Sequence, residues 1–228
     1  MAALPEIVYS DKDIIIAVKP PGVLSEDHPG GMPALLWEML GDPAADVRSV
    51  HRLDRAVGGL MVYARNAAAA SFLIREIAER KFDKQYLCVT EGVPAETSGL
   101  LTDLLYHSAR ENKTYVVDRK RKGVREAILE YEVLEEKDGK ALIRVQLLTG
   151  RTHQIRAQFA SRKLPLLGDR RYGAKEPDSD VALWSFSLAF RHPRTKEMLS
   201  FRKLPPVQPP WTLFESCLGK SSEVLSTE

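Results

Sequence analysis

Two short stretches carry residue types that could do chemistry together. The first is His51-Arg52-Leu53-Asp54-Arg55, followed by Ala56-Val57-Gly58-Gly59-Leu60. A single carboxylate lies between two arginines, just ahead of an apolar run. Nearby cations favour the ionised carboxylate, so Asp54 could serve as a nucleophile or a base. The same pattern also fits a surface ion pair where a strand begins, which would carry no chemistry. The second stretch is Gly150-Arg151-Thr152-His153-Gln154-Ile155-Arg156. It falls where a strand ends and a helix begins, and the outward N–H groups of a helix start attract anions. Arg151 and His153 suit such an anion. Arg156 lies five residues after Arg151, so the two guanidiniums need not share a face. A capped amphipathic helix with polar side chains is the alternative.

Much other chemistry is excluded. The sequence has no GxxxxGK[ST] phosphate loop, no GxGxxG, no GxSxG and no HExxH. The histidines (His28, His51, His107, His153 and His192) are scattered, without metal-ligand spacing. No metal and no cofactor is expected. Two cysteines, Cys88 and Cys217, cannot form a CxxC site, and they suggest a reducing, cytoplasmic setting. Apolar runs are only a few residues long, such as Ile14 to Val18, so no membrane-spanning helix is expected. The N-terminal residues lack the pattern of a signal peptide.

Charge is more informative by place than by sum. Lys and Arg total 33 against 31 Asp and Glu, a net of +2. The basic residues gather in the second half. Arg119-Lys120-Arg121-Lys122-Gly123-Val124-Arg125 contains no acid. From Arg151 to Arg171 only Asp169 opposes six basic residues, and from Arg191 to Lys203 only Glu197 opposes five. Each run alone suits a solvated loop; three together point to a polyanion partner.

The elements that would position these stretches follow from local pattern. Residues 13–18 and 60–64 read as buried strands, the first running into Lys19-Pro20-Pro21-Gly22. Pro33 opens a helix that Gly41 stops. Asn66 caps the helix Ala67–Lys81. Residues 84–91 form a strand. Residues 127–134 and 141–148 alternate around Asp138-Gly139, a strong hairpin signal. Residues 152–163 read as a helix, and 183–190 pair with 198–202. With 228 residues, the chain reads as one α+β domain: a mixed, mainly antiparallel sheet with flanking helices. The domain is expected to run over residues 1–216, with a frayed tail at 217–228.

The two stretches, taken in order with their surroundings, resemble the RluA-type family of RNA pseudouridine synthases. His51-Arg52-Leu53-Asp54 with Gly59-Leu60, and Gly150 to Arg156, are similar to that family's two long motifs. Val18 to Gly22, Lys84 to Gly92, Leu164 to Gly173 and Arg191 to Pro206 resemble its remaining segments. The likeness runs from about residue 7 to residue 210. There are departures. Family members usually carry Thr-Ser-Gly where this chain has Val57-Gly58-Gly59, which removes two hydroxyls behind Asp54. The family's ending after the second motif becomes Ala157-Gln158. No S4-type RNA-binding module is expected ahead of the Lys19 segment, which resembles the compact members of the family.

The resemblance implies the pseudouridine synthase fold and isomerisation of uridines in ribosomal or transfer RNA. By that likeness Asp54 is the catalytic carboxylate, Arg156 its ion-pair partner, and Tyr86 the residue stacked on uracil. Arg52 would fill the space left by a flipped base. Arg151, His153, Arg119, Lys120, Arg121 and Lys122 would contact RNA, and the protein would act as a monomer. Two other readings compete. A non-catalytic RNA-binding protein on the same fold would explain the altered Val57-Gly58 pair. A glycoside hydrolase would need a second catalytic carboxylate, and none stands beside these motifs.

Overall fold

A computed structural model describes residues 4–42, 45–176 and 180–224. In chain order the elements begin with β1 (Glu6–Ser10), β2 (Ile14–Lys19), α1 (Met32–Leu40), β3 (Arg48–Ser49), β4 (Gly58–Ala64) and α2 (Ala67–Ala78). There follow β5 (Asp83–Glu91), β6 (Ser98–Ser108), β7 (Lys113–Val117), β8 (Val124–Lys137), β9 (Lys140–Leu147) and α3 (Gln154–Ser161). The chain closes with β10 (Leu183–Arg191), β11 (Met198–Arg202) and α4 (Glu215–Val224), plus 3-10 turns at Arg170–Tyr172 and Trp211–Phe214. The pairing is mostly antiparallel with helices alongside, the α+β class expected. Contacts divide the chain into two compact units, Met1–Gln85 with Trp184–Lys203 and Tyr86–Leu183 with Leu204–Glu228.

In the first unit the strands run β1-β2-β4-β10, with β3 on β4 and β11 on β10. The β4–β10 pair is parallel; the others are antiparallel. β2 and β4 are buried along their whole length. Strands covered on both faces read as continuous apolar runs, as Ile14–Ile16 and Leu60–Val62 do. Pro33 lies in the first turn of α1, and Gly41 ends it in the left-handed conformation (φ 61°). The Asn66 side chain accepts from the Ala69 N–H and starts α2, which stops at Ala78, three residues sooner than the pattern suggested. Asp11, Asp13 and His192 bring possible ligand atoms within 4.8 Å of one another. Both Asp13 oxygens hold the Arg194 guanidinium, at 2.5 and 2.8 Å, which opposes a metal cation there.

In the second unit the order is β5-β9-β8-β6-β7. The hairpin forms where the sequence placed it, with Asp138 (φ 51°) and Gly139 (φ 69°) as its two-residue turn. Its strands are longer than expected, since β8 begins at Val124. β6 and β7 escaped the sequence reading. Their burial alternates irregularly, because long polar and apolar side chains share both faces. The polar residues 217–224, expected to fray, lie in α4; residues 225–228 lie outside the described residues. Among the described residues no helix is long and apolar enough to cross a membrane.

Candidate active site

Asp54 occupies irregular backbone between β3 and β4, half-buried. Such a segment has no ladder to fix it, so its polar groups need other partners. The Ser25 Oγ accepts from the Leu53 N–H at 3.0 Å and donates to the Leu53 carbonyl at 2.8 Å. The Asp54 carbonyl accepts from the Val57 N–H at 2.9 Å. The Arg55 carbonyl accepts from the Gly22 N–H at 2.7 Å and from Lys19 Nζ at 3.2 Å. Arg55 Nε donates back to the Gly22 carbonyl at 2.8 Å. The Lys19-Pro20-Pro21-Gly22 segment is therefore a brace for the Asp54 loop.

Lys19 is the anchor of that brace. Its side chain is fully buried, and Nζ donates to the Pro20, Val23 and Arg55 carbonyls at 3.0, 2.8 and 3.2 Å. Three protons meet three acceptors. Burial pulls the ammonium pKa down to about 8, against the opposing pull of Asp54 and with added repulsion from Arg55. Upstream, His51 Nε2 accepts from the Val62 N–H at 3.1 Å. β3 leaves β4 after Ser49, and the imidazole takes over as partner of the next free donor on that edge. The ring proton is thereby assigned to Nδ1, a buried nitrogen without a hydrogen-bond partner. Burial, with Lys84 nearby, holds the His51 pKa well below the ordinary range, so the ring is neutral.

Gly58 and Gly59, at the start of β4, each have a structural reason. A Cβ on Gly58 would meet the Trp184 ring at 2.5 Å and Pro21 at 3.1 Å. Trp184 thus occupies the space a serine at position 58 would need. Trp184 Nε1 donates to the Lys203 carbonyl at 2.8 Å, which fixes the indole. At Gly59 (φ 117°) a Cβ would strike the Ser185 backbone at 2.4 Å, so only glycine fits.

In the second unit Arg156 projects from α3 and is buried. Its Nε and Nη2 donate to the two Asp169 oxygens at 2.6 and 2.8 Å. The guanidinium lies 5.0 Å from the centre of the Tyr172 ring. The Tyr172 hydroxyl accepts from the Thr114 N–H at 2.8 Å and lies 3.0 Å from His153 Nδ1. His153 starts α3 in the left-handed conformation (φ 53°), with its ring buried against Tyr172 and edge-on to His107. The Gln154 amide fastens the same turn: it accepts from the Thr149 hydroxyl and the Arg151 N–H, and donates to the Ile128 carbonyl.

The other expected residues fall as follows. Tyr86 is buried in β5. Arg151 is exposed, with Nε on the Glu126 carbonyl at 2.9 Å. Arg119, Lys120, Arg121 and Lys122 are exposed between β7 and β8, and Arg121 lies 5.0 Å from the centre of the Tyr106 ring. Arg52, in the first unit with Asp54, is exposed and pairs with Glu26 at 3.0 Å. Thus Asp54 is gathered with Lys19 and Ser25, and Arg156 with Asp169, Tyr172 and His153.

A family model described as RNA pseudouridylate synthase matches residues 13–161, a span that holds both motifs. The chain belongs to this family. As a pseudouridine synthase it is an isomerase that acts on RNA. A relative from Aquifex aeolicus, described as an uncharacterized RNA pseudouridine synthase, is 35% identical over 217 residues, 86% of this chain and 67% of that protein. The ribosomal large subunit pseudouridine synthase D of Haemophilus influenzae is 32% identical over 220 residues, 86% of this chain and 65% of that protein. The chain spans about two thirds of the length of these curated relatives. Two human structures share the fold. RNA pseudouridylate synthase domain containing 1 has a TM-score of 0.77 at 23% identity, covering 98% of this chain and 95% of that one. Domain containing 4 has a TM-score of 0.75 at 22% identity, covering 93% and 92%.

Sequence reasoning missed Lys19, Ser25 and His51 around the Asp54 loop, and Asp169 beside Arg156. Lys19, His51 and Asp169 lie inside the motif segments, and the signal for Lys19 and Asp169 is a charged residue at the end of an otherwise apolar stretch. Ser25 gave no signal, since its partners are backbone atoms 28 residues away.

Proposed function

We propose that this pseudouridine synthase isomerises specific uridines in ribosomal or transfer RNA, with Asp54 as its catalytic carboxylate. The supporting observation is the Asp54 loop: a carboxylate-bearing segment with no regular structure, pinned at residues 53, 54 and 55. Holding a reacting group in place is worth orders of magnitude in rate. The large-subunit name of the Haemophilus influenzae relative favours ribosomal RNA. The protein acts as a cytoplasmic monomer, with residues 1–216 as one catalytic domain.

The reaction breaks the N-glycosidic bond, turns the uracil over, forms a carbon–carbon bond and moves one proton from carbon to nitrogen. Nothing is oxidised and no atom is lost, so no cofactor is called for. Asp54 must be ionised whether it attacks the ribose or removes a ribose proton. Arg156, held by Asp169, is the cation that the resemblance assigns to the catalytic carboxylate, and Tyr86 stacks on the uracil. The target base must leave its stack to react, and the planar, exposed Arg52 fills the space it vacates. Arg151 and Arg119 to Lys122 grip phosphates, while His153 shapes the RNA contact at the start of α3.

Tritium release from 5-tritiated uridine in unmodified ribosomal and transfer RNA, assayed separately, tests this reading. Wild-type protein releases tritium from one pool. Asp54→Asn loses at least about 1,000-fold in turnover with RNA affinity unchanged. Full turnover by Asp54→Asn would overturn the role of Asp54. Tight RNA binding without release by the wild type would favour a purely RNA-binding protein.

A further inference from the structure

We propose that Ser25 is a positioning residue for Asp54, its hydroxyl fixing the peptide from which the carboxylate departs. The proposal rests on the reading of Asp54 as the catalytic carboxylate.

Ser25 is buried, and its single hydroxyl does two jobs. It donates to the Leu53 carbonyl at 2.8 Å and accepts from the Leu53 N–H at 3.0 Å. Leu53 precedes Asp54, so these bonds fix the peptide from which the Asp54 side chain departs. The serine acts as a one-residue substitute for a strand partner where the backbone has none.

The support is itself supported. The Ser25 carbonyl accepts from the Ser49 hydroxyl at 2.8 Å and the Tyr63 hydroxyl at 3.4 Å. Ser49 is in β3 and Tyr63 in β4, so Ser25 is fastened to the sheet through its carbonyl and to the Asp54 loop through its hydroxyl. Next door, the Leu24 carbonyl accepts from the Met32 N–H at 2.8 Å, which ties the same segment to the start of α1. Position is thereby passed from rigid elements to residue 53. On the far side, Lys19 and Gly22 hold residue 55. Removing the Ser25 hydroxyl frees one flank only. The loop stays attached but gains freedom at the flank nearest the carboxylate, which costs turnover more than it costs fold.

The test uses the purified full chain and unmodified ribosomal and transfer RNA transcripts carrying 5-tritiated uridine. Ser25→Ala, Ser25→Thr and Asp54→Asn are compared with wild type. Ser25→Ala is expected to lower kcat by about 10- to 100-fold, the scale set by a misplaced catalytic group. KM stays within a few-fold, and the melting temperature falls by only a few degrees. Ser25→Thr retains the hydroxyl and restores kcat to within a few-fold of wild type. A wild-type kcat for Ser25→Ala, beside an inactive Asp54→Asn, would sink the Ser25 proposal and leave Asp54 standing. A loss in Ser25→Ala matched by its unfolded fraction would also sink it. Turnover by Asp54→Asn would instead sink the reading of Asp54.

Discussion

Asp54 and Arg156 are fixed by opposite means. Asp54 lies on backbone without a ladder, so the protein holds the main chain around it, using a serine hydroxyl, a lysine ammonium and a glycine amide. Arg156 lies in a helix that satisfies its own main chain, so only the side chain needs holding, and Asp169 grips it with both carboxylate oxygens. Loop-borne groups are therefore sensitive to distant residues that touch only backbone. Helix-borne groups are sensitive to their direct charge partner.

The largest effect expected from breaking this contrast is at Asp169. Asp169→Ala leaves the buried Arg156 guanidinium without its paired carboxylate, which should cost about 3–5 kcal/mol of stability. Denaturant unfolding measures it, and a loss below about 1 kcal/mol would mean that other groups hold Arg156. The brace of the Asp54 loop titrates instead. Lys19 has its pKa pulled down to about 8 in the folded protein, against an ordinary value of 10.5. Between these values the unfolded chain still carries the proton that the folded chain has released. The Lys19 contribution to stability therefore rises with pH across that window, by on the order of 3 kcal/mol. The difference in unfolding free energy between wild type and Lys19→Met, followed from pH 7 to 10, should move in favour of the wild type. A flat difference would mean that Lys19 keeps its proton. The smallest effect is at Gly58. Gly58→Ser forces a side chain into the Trp184 ring and should destabilise by roughly 1–3 kcal/mol. Combining it with Trp184→Ala should cost less than the sum of the two single changes, as a thermal-shift double-mutant cycle would reveal.

Regular structure was legible in the sequence wherever one physical signal dominated. The apolar runs of β2 and β4, the Asn66 cap, the Gly41 stop and the Asp138-Gly139 turn all form as read. β6 and β7 were not legible because their faces are mixed, and β3 because two residues leave no pattern. The residue types at the site were visible in two motifs. Their supports were not, because Ser25 and Lys19 act on carbonyl and amide groups, and every residue has those. The basic runs were legible as charge but not as placement. Arg162 is held by Asp103, Arg171 by the Glu111 and Asn112 carbonyls, and Arg194 by Asp13. Each of these braces the fold, whereas Arg119 to Lys122 stand in solvent.

The Trp184–Gly58 contact sets an order on mutational history. While the indole stays, any side chain at position 58 collides with it, so a lineage seeking to regain a hydroxyl there must first shrink residue 184. In the reverse direction, glycine at 58 has to arrive before tryptophan does. The two positions form an epistatic pair in which one sequence of steps costs stability that the other avoids, and relatives with a serine at 58 should carry a smaller group at 184.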